Sequence, residues 1–247
     1  MKKDEIKRHK IAAKKLDLVK NRAFVFVKKN LGKIFECDVS DFINSEFKKQ
    51  GLVTDKNCIV QIIAADKNTA YVHHFPSKRE AKIIERDNLI LIDIWARLRE
   101  KNSPFADITW MGYFGKNIPA NIKKYFKIVI EARDEAIKFI KKELKQKRMP
   151  KGMEVDEIVR SYFKKFGVEK YFFHGTGHSL GFFGCHGKDF HLSQKNRKIV
   201  RPNIPFTIEP GLYFKNKFGI RSEIDCYITE DYRLIITTEV QKDIVKI

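Results

Sequence analysis

An α+β architecture is expected for this chain, with a pair of helices followed by strands occurring twice along its length. Three observations lead to it. Stretches whose apolar residues recur at helical spacing come in pairs, at residues 16–47 and again at 129–166. Short aliphatic runs bounded by Asp, Asn and Lys follow each pair, as strands do. At 247 residues the chain can bury a core without disulfides, and no Pro/Gly/Ser-rich linker divides it. The expectation is one domain over residues 1–247 with no separate N-terminal domain.

The first helix is read from Leu16, Val19, Ala23 and Phe26 and stops at Gly32. The second has Asp38 as its N-cap, an apolar stripe of Val39, Phe42, Ile43 and Phe47, and Gly51 at its end. Strands are read at Ile59 to Ala64, Leu89 to Ile92 and Ile108 to Trp110, the last followed by a turn at residues 112 to 115. Pro119 suits the first turn of a third helix with Val129, Ala136, Ile137, Ile140 and Leu144 inward, broken by Pro150 and Gly152. A fourth helix carries Val155, Ile158, Val159, Tyr162, Phe163 and Phe166 up to Gly167. Strand segments end at Glu209, run from Ile220 to Thr229, and surround Leu234 to Thr237.

Composition narrows the function classes. No apolar run is long enough to span a bilayer, and the basic N-terminus lacks the apolar core of a secretory signal, so a cytoplasmic protein is expected. Cys37, Cys58, Cys185 and Cys226 are scattered without a CxxC pair, which speaks for reduced thiols rather than a zinc knuckle. The net charge of +19 would attract polyanions. Because the lysines are spread through nearly every polar segment, contact with nucleic acid through this surface is expected to be non-specific.

Chemistry concentrates in HGTGHSLGFFGCHG, residues 174 to 187, where three histidines alternate with glycines that allow close backbone approach. Acids also sit where solvent exposure does not explain them: Asp93 closes the run Leu89 to Ile92, Glu209 closes Phe206 to Ile208, and Glu223 alternates with Ile220, Ser222 and Ile224. Buried carboxylates need compensation, and a cation supplies it. For Glu223 an ion pair with Arg221, two residues away on the same strand, is an equal alternative.

These residues resemble the pita-bread metallopeptidase family of methionine aminopeptidases, aminopeptidase P, prolidases and creatinase. The matching pieces are LILID at 89 to 93, ADIT at 106 to 109, GMEVDEIVR at 152 to 160, HGTGHSLG at 174 to 181, IEPGLY at 208 to 213 and GIRSEID at 219 to 225, in family order across nearly the whole chain. The resemblance implies a pita-bread fold, with pseudo-duplicated helix-strand halves around a curved antiparallel sheet. It implies two divalent ions, with Asp93 on one, His178 and Glu209 on the other, and Asp107 and Glu223 between them. Four carboxylates and one imidazole suit Mn(II), Fe(II) or Co(II), with Zn(II) as a further candidate. Glu209 would move the proton, His186 and His174 would contact the substrate, and His73, rather than its neighbour His74, would close the pocket.

The chain departs from the family pattern in places. Trp95 stands where the family usually has glycine, residues 97 to 104 look like a hairpin insertion, and His186 follows His178 at an interval one residue longer than in the aminopeptidase P group. The EPGLY segment and the histidine four residues before His178 resemble the Xaa-Pro peptidase branch. The expected function is therefore a dinuclear-metal aminopeptidase acting on Xaa-Pro peptides. The alternatives are a methionine aminopeptidase and a catalytically inactive pita-bread module that binds nucleic acid or protein.

Overall fold

The computed structural model describes residues 1–55, 60–79 and 82–246. Helices α1 (Lys3–Asn30) and α2 (Glu36–Gln50) open the chain. Strands β1 (Leu52–Val53), β2 (Ile62–Ala65), β3 (Leu89–Leu98) and β4 (Ala106–Tyr113) follow. Helices α3 (Ala120–Lys145) and α4 (Gly152–Lys165) then precede β5 (Gly177–Leu180), β6 (His186–Leu192), β7 (Phe206–Ile208), β8 (Gly211–Phe214), β9 (Phe218–Arg221), β10 (Ile224–Ile228), β11 (Leu234–Ile236) and β12 (Val245–Lys246). The expected double succession of two helices and strands is present. The strands form one five-stranded sheet around β1, β3, β4 and β12 with β2 on β3, a second in the order β11-β10-β7-β5-β6, and a β8–β9 hairpin. All pairings are antiparallel except β12 on β4.

The long hairpin β3–β4 is the wall between two cores. Side chains alternate across a strand, so Ile90, Ile92, Ile94 and Ala96 turn to α1 and α2, where they bury with Leu16, Val19 and Val39. Leu89, Leu91, Trp95 and Met111 turn the other way, into the larger core built by α3, α4 and the second sheet. Asp93 belongs to this second face. It therefore sits within β3 and not at its end, as its position after four aliphatic residues had implied.

Other local expectations shift for identifiable reasons. Asp38 is the third residue of α2 and not its N-cap: its carboxylate reaches back to accept the Phe35 N–H at 2.7 Å, and Phe35 holds the cap position. Glu154 does the same for the Lys151 N–H at the start of α4. Gly51 takes the left-handed conformation (φ 67°) that ends α2. β4 runs through Gly112 and Tyr113, where a turn was expected, because β3 pairs with it along that length. The strand read at Ile59 to Ala64 is observed as Ile62–Ala65, and Ile59 and Cys58 lie outside the described residues. The run from Ile220 to Thr229 is not one strand; it breaks at Ser222 and Glu223, where the chain passes from the β8–β9 hairpin into the second sheet.

Candidate metal centre

Strand register brings the acids together. Asp93 pairs with Thr109 and Asp107 with Trp95, and directly opposed residues point to the same side, so all four share the inner face of the hairpin. In the second sheet, Ile224 pairs with Ile208 in the last rung of the β10–β7 ladder. Glu223 and Glu209 occupy the next register position, at the end facing the hairpin, and the Glu223 N–H donates to the Thr109 carbonyl at 3.3 Å. His178 enters from β5, next to a register shift between His178 and Leu180. Asp93, Asp107, His178, Glu209 and Glu223 all line one cavity of about 400 Å³.

Three of these residues are closest: one ligand atom each from Asp107, His178 and Glu223 lie within 4.8 Å of one another, and all three side chains are buried. The donor set fits a divalent cation. Asp107 Oδ1 is buried with no hydrogen-bond partner among the described residues. His178 donates from Nδ1 to the Ser179 carbonyl at 3.1 Å, which leaves Nε2 as a lone-pair donor facing Glu209 Oε1 at 3.3 Å and Asp107 Oδ2 at 3.9 Å. Burial and the neighbouring His186 hold His178 well below its ordinary pKa, in the neutral form that binds metal. Burial, reinforced by the mutual repulsion of the carboxylates, pushes Asp107 and Glu223 well above the usual range. Burial raises Glu209 to about 7. Asp93 is also raised, chiefly by burial, against the opposing pull of Arg221. A cation among these groups would reverse the shifts, since it stabilises the ionised form of each.

An ion pair of Arg221 with Glu223 was the equal alternative to a cation, and the structure gives Arg221 other partners. Its guanidinium pairs with Asp93, while Nε donates to Thr109 Oγ1 at 3.0 Å and one terminal nitrogen to Tyr213 Oη at 3.1 Å. Glu223 instead accepts the Thr109 hydroxyl at 2.8 Å. The break between β9 and β10 is what sends Arg221 and Glu223 to different partners.

The histidines divide by their surroundings. His174 Nδ1 donates to the Gly175 carbonyl at 2.8 Å, and Nε2 accepts the Tyr213 hydroxyl at 2.7 Å. Burial lowers it to about 3, so it is neutral. His186 lines the cavity with its ring centroid 4.1 Å from that of His178, and no hydrogen bond to its ring is present among the described residues. His73 lines the cavity too, whereas His74 turns away to Glu36 at 2.9 Å. Glu36 also accepts the Ala65 and Lys82 N–H groups, which anchors the segment carrying His73.

Several contributors escaped the sequence reading. Thr109, Tyr213 and His191 reach the site, and each lies in or beside a segment already singled out. In α4, Asp156 accepts the Thr176 N–H at 2.9 Å and hydroxyl at 2.8 Å, and Arg160 donates to the His174 carbonyl at 2.8 Å, which fixes the histidine segment. Asp225 accepts the Asp107 N–H at 2.9 Å. The turn at residues 99 to 105 joins the site's edge through the Phe105 N–H, which donates to the Gly181 carbonyl at 2.9 Å.

A buried cluster of carboxylates around one neutral imidazole, assembled where two helix-backed sheets meet, is the donor arrangement of a divalent-metal protein. The chain belongs to metallopeptidase family M24, whose family description matches residues 7–230. It is 30% identical over 181 residues to the Xaa-Pro dipeptidase of Pyrococcus furiosus, which covers 72% of this chain and 47% of that protein. The fold superposes on the prolidase of Thermococcus sibiricus with a TM-score of 0.81 at 29% identity, covering 100% of this chain and 62% of that one. For the X-Pro aminopeptidase of Thermotoga maritima the TM-score is 0.82 at 25% identity, with 100% and 64% covered. The chain thus spans about half the length of the Pyrococcus relative. No helix among the described residues is long and apolar enough to cross a membrane.

Proposed function

We propose that the chain is a dinuclear-metal exopeptidase domain that releases the N-terminal residue of peptides whose second residue is proline. The observation that carries this is the convergence of Asp93, Asp107, His178, Glu209 and Glu223 on one cavity from both halves of the chain. These five side chains would hold the ions. Bound there, divalent cations supply a Lewis acid for the scissile carbonyl and activate water at neutral pH.

The protein's own groups do the rest. Glu209, with Oε1 at 3.3 Å from His178 Nε2 and on the cavity wall, is placed to take and return a proton. His186, whose ring makes no hydrogen bond among the described residues, is placed to donate to the carbonyl oxygen as charge develops on it. His174 is committed at both nitrogens and serves as a fixed neutral wall beside the substrate. Proline in the second position has a rigid ring and no N–H, so a shaped wall recognises it through preorganisation rather than added hydrogen bonds. Names carried by the relatives, Xaa-Pro dipeptidase and prolidase, support the same substrate class.

The test is metal analysis followed by kcat/KM for matched Xaa-Pro and Met-Ala peptides with Mn(II) and Co(II). Two equivalents of metal and a preference for Xaa-Pro are expected. A consistent preference for Met-Ala would assign the chain to methionine removal, and absence of hydrolysis with bound metal would make it a binding module.

A further inference from the structure

The cavity lining is chemically mixed. Its lining includes the imidazoles of His174, His178 and His186 and the apolar side chains of Ile62, Val72, Phe75 and Trp95. Two of the apolar residues have a defined relation to the carboxylates: Ile62 pairs directly with Asp93, and Trp95 lies two residues along the same strand face, opposite Asp107. Trp95 is only 6% exposed, and Phe75, which is 43% exposed, meets it edge-on with centroids 6.5 Å apart. The indole N–H of Trp95 is buried without an acceptor among the described residues, a cost that phenylalanine in its place would avoid. Packing alone therefore holds the ring, and it forms part of the cavity wall.

We infer that Trp95 sets the size limit for the N-terminal residue of the substrate, admitting short side chains and rejecting long or aromatic ones. This rests on the exopeptidase reading. A substrate whose amine lies beside the ions that Asp93 and Asp107 would hold meets Ile62 and Trp95 as the adjoining apolar wall for its own side chain, because those two residues flank the acids on the same face. The indole occupies depth that a small residue would leave open. Discrimination by volume in an apolar pocket acts through binding of the side chain, so it is read as a ratio between substrates rather than as lost chemistry.

The experiment uses the metal-loaded full chain and the peptides Ala-Pro-Ala, Leu-Pro-Ala and Phe-Pro-Ala. Wild type is expected to favour Ala over Phe in kcat/KM by about tenfold or more. Trp95→Ala should collapse or invert that ratio, chiefly through KM, and Trp95→Phe should retain it. Equal effects of Trp95→Ala on all three peptides, or a wild-type preference for Phe, would overturn the inference. Emission of Trp95 in a Trp110→Phe background gives a second readout that needs neither turnover nor a stable Trp95→Ala variant, since the chain has two tryptophans. Ala-Pro is expected to quench that emission more tightly than Phe-Pro. Quenching with this order in a protein that hydrolyses nothing would sink the exopeptidase reading and leave the size limit standing; no quenching, or the reverse order, would sink the size limit itself.

Discussion

Arg221 and Asp93, 128 positions apart in the chain, form a buried ion pair across the junction of the two halves. Arg221 also donates to Tyr213 Oη, which in turn donates to His174, so one guanidinium orients both a carboxylate and a histidine of the site. The charge on Arg221 is offset by a ring of acids rather than by one, and removal of either partner leaves the other buried alone.

Replacement of Asp107 by Asn or Glu223 by Gln is expected to lower metal-dependent hydrolysis by more than about 100-fold, beyond what loss of an outer-shell partner costs. Neither change should unfold the chain, because each amide replaces an acid that burial already favours in its neutral form. The check is paired: steady-state rates, and the rise in Tm when Mn(II) is added to stripped protein. Wild type should gain stability with metal and the variants should gain little. Full activity in both would remove these residues from the metal set.

Tyr213→Phe deletes a single hydroxyl that lies between Arg221 and His174. A loss of about 10- to 100-fold in kcat/KM is expected, the size seen when a supporting hydrogen bond is removed. Metal content should be unchanged, since the Tyr213 hydroxyl bonds Arg221 and His174, neither of which is among the proposed metal ligands. Lost metal with a proportionate fall in rate would show that the hydroxyl maintains the metal set instead.

His9 gives the fold an acid sensitivity that can be isolated. It is wholly buried, donates from Nδ1 to the Phe105 carbonyl at 2.9 Å, and places Nε2 2.8 Å from the Thr237 hydroxyl. Burial lowers it from 6.5 to about 4. The unfolded chain therefore binds a proton below pH 6.5 that the folded chain refuses until about pH 4. Its contribution is complete above pH 6.5 and declines as pH falls toward 4, a gap worth on the order of 3 kcal/mol. Urea unfolding at several pH values should show wild type losing stability more steeply than His9→Gln over that window. Parallel curves would assign the acid sensitivity to other groups.

The net charge of +19 leads to a further expectation. Any binding of DNA or RNA should be indifferent to sequence and weaken steeply with salt, since dispersed lysines neutralise phosphates without reading bases. A mobility-shift titration at low and high salt checks this. Tight, sequence-selective binding that persists in high salt would instead favour a nucleic-acid module.

Much of the architecture could be read from the chain because its helices carry clean 3.6-residue periodicity and its strands are short and aliphatic. Asp93 was misplaced at a strand end for a specific reason. One polar residue after four aliphatic ones looks like a boundary, whereas the two-residue alternation continues through Ile94 and Ala96 on the opposite face. Arg221 and Glu223 share a motif, yet a strand break between sheets separates their partners, and no local pattern marks that break. Asp38 and Glu154 show the same limit at helix starts: the acid can be seen, but whether it caps from the first position or reaches back from the third depends on geometry.

The hairpin β3–β4 supplies Asp93 and Asp107, and the remaining three converging side chains come from residues 178, 209 and 223. In chain order the two hairpin acids precede the imidazole and the last carboxylate, so a growing polypeptide offers them first. If these five groups hold the ions as proposed, ion capture requires distant segments to have found one another, and metal occupancy would separate folded molecules from partly folded ones.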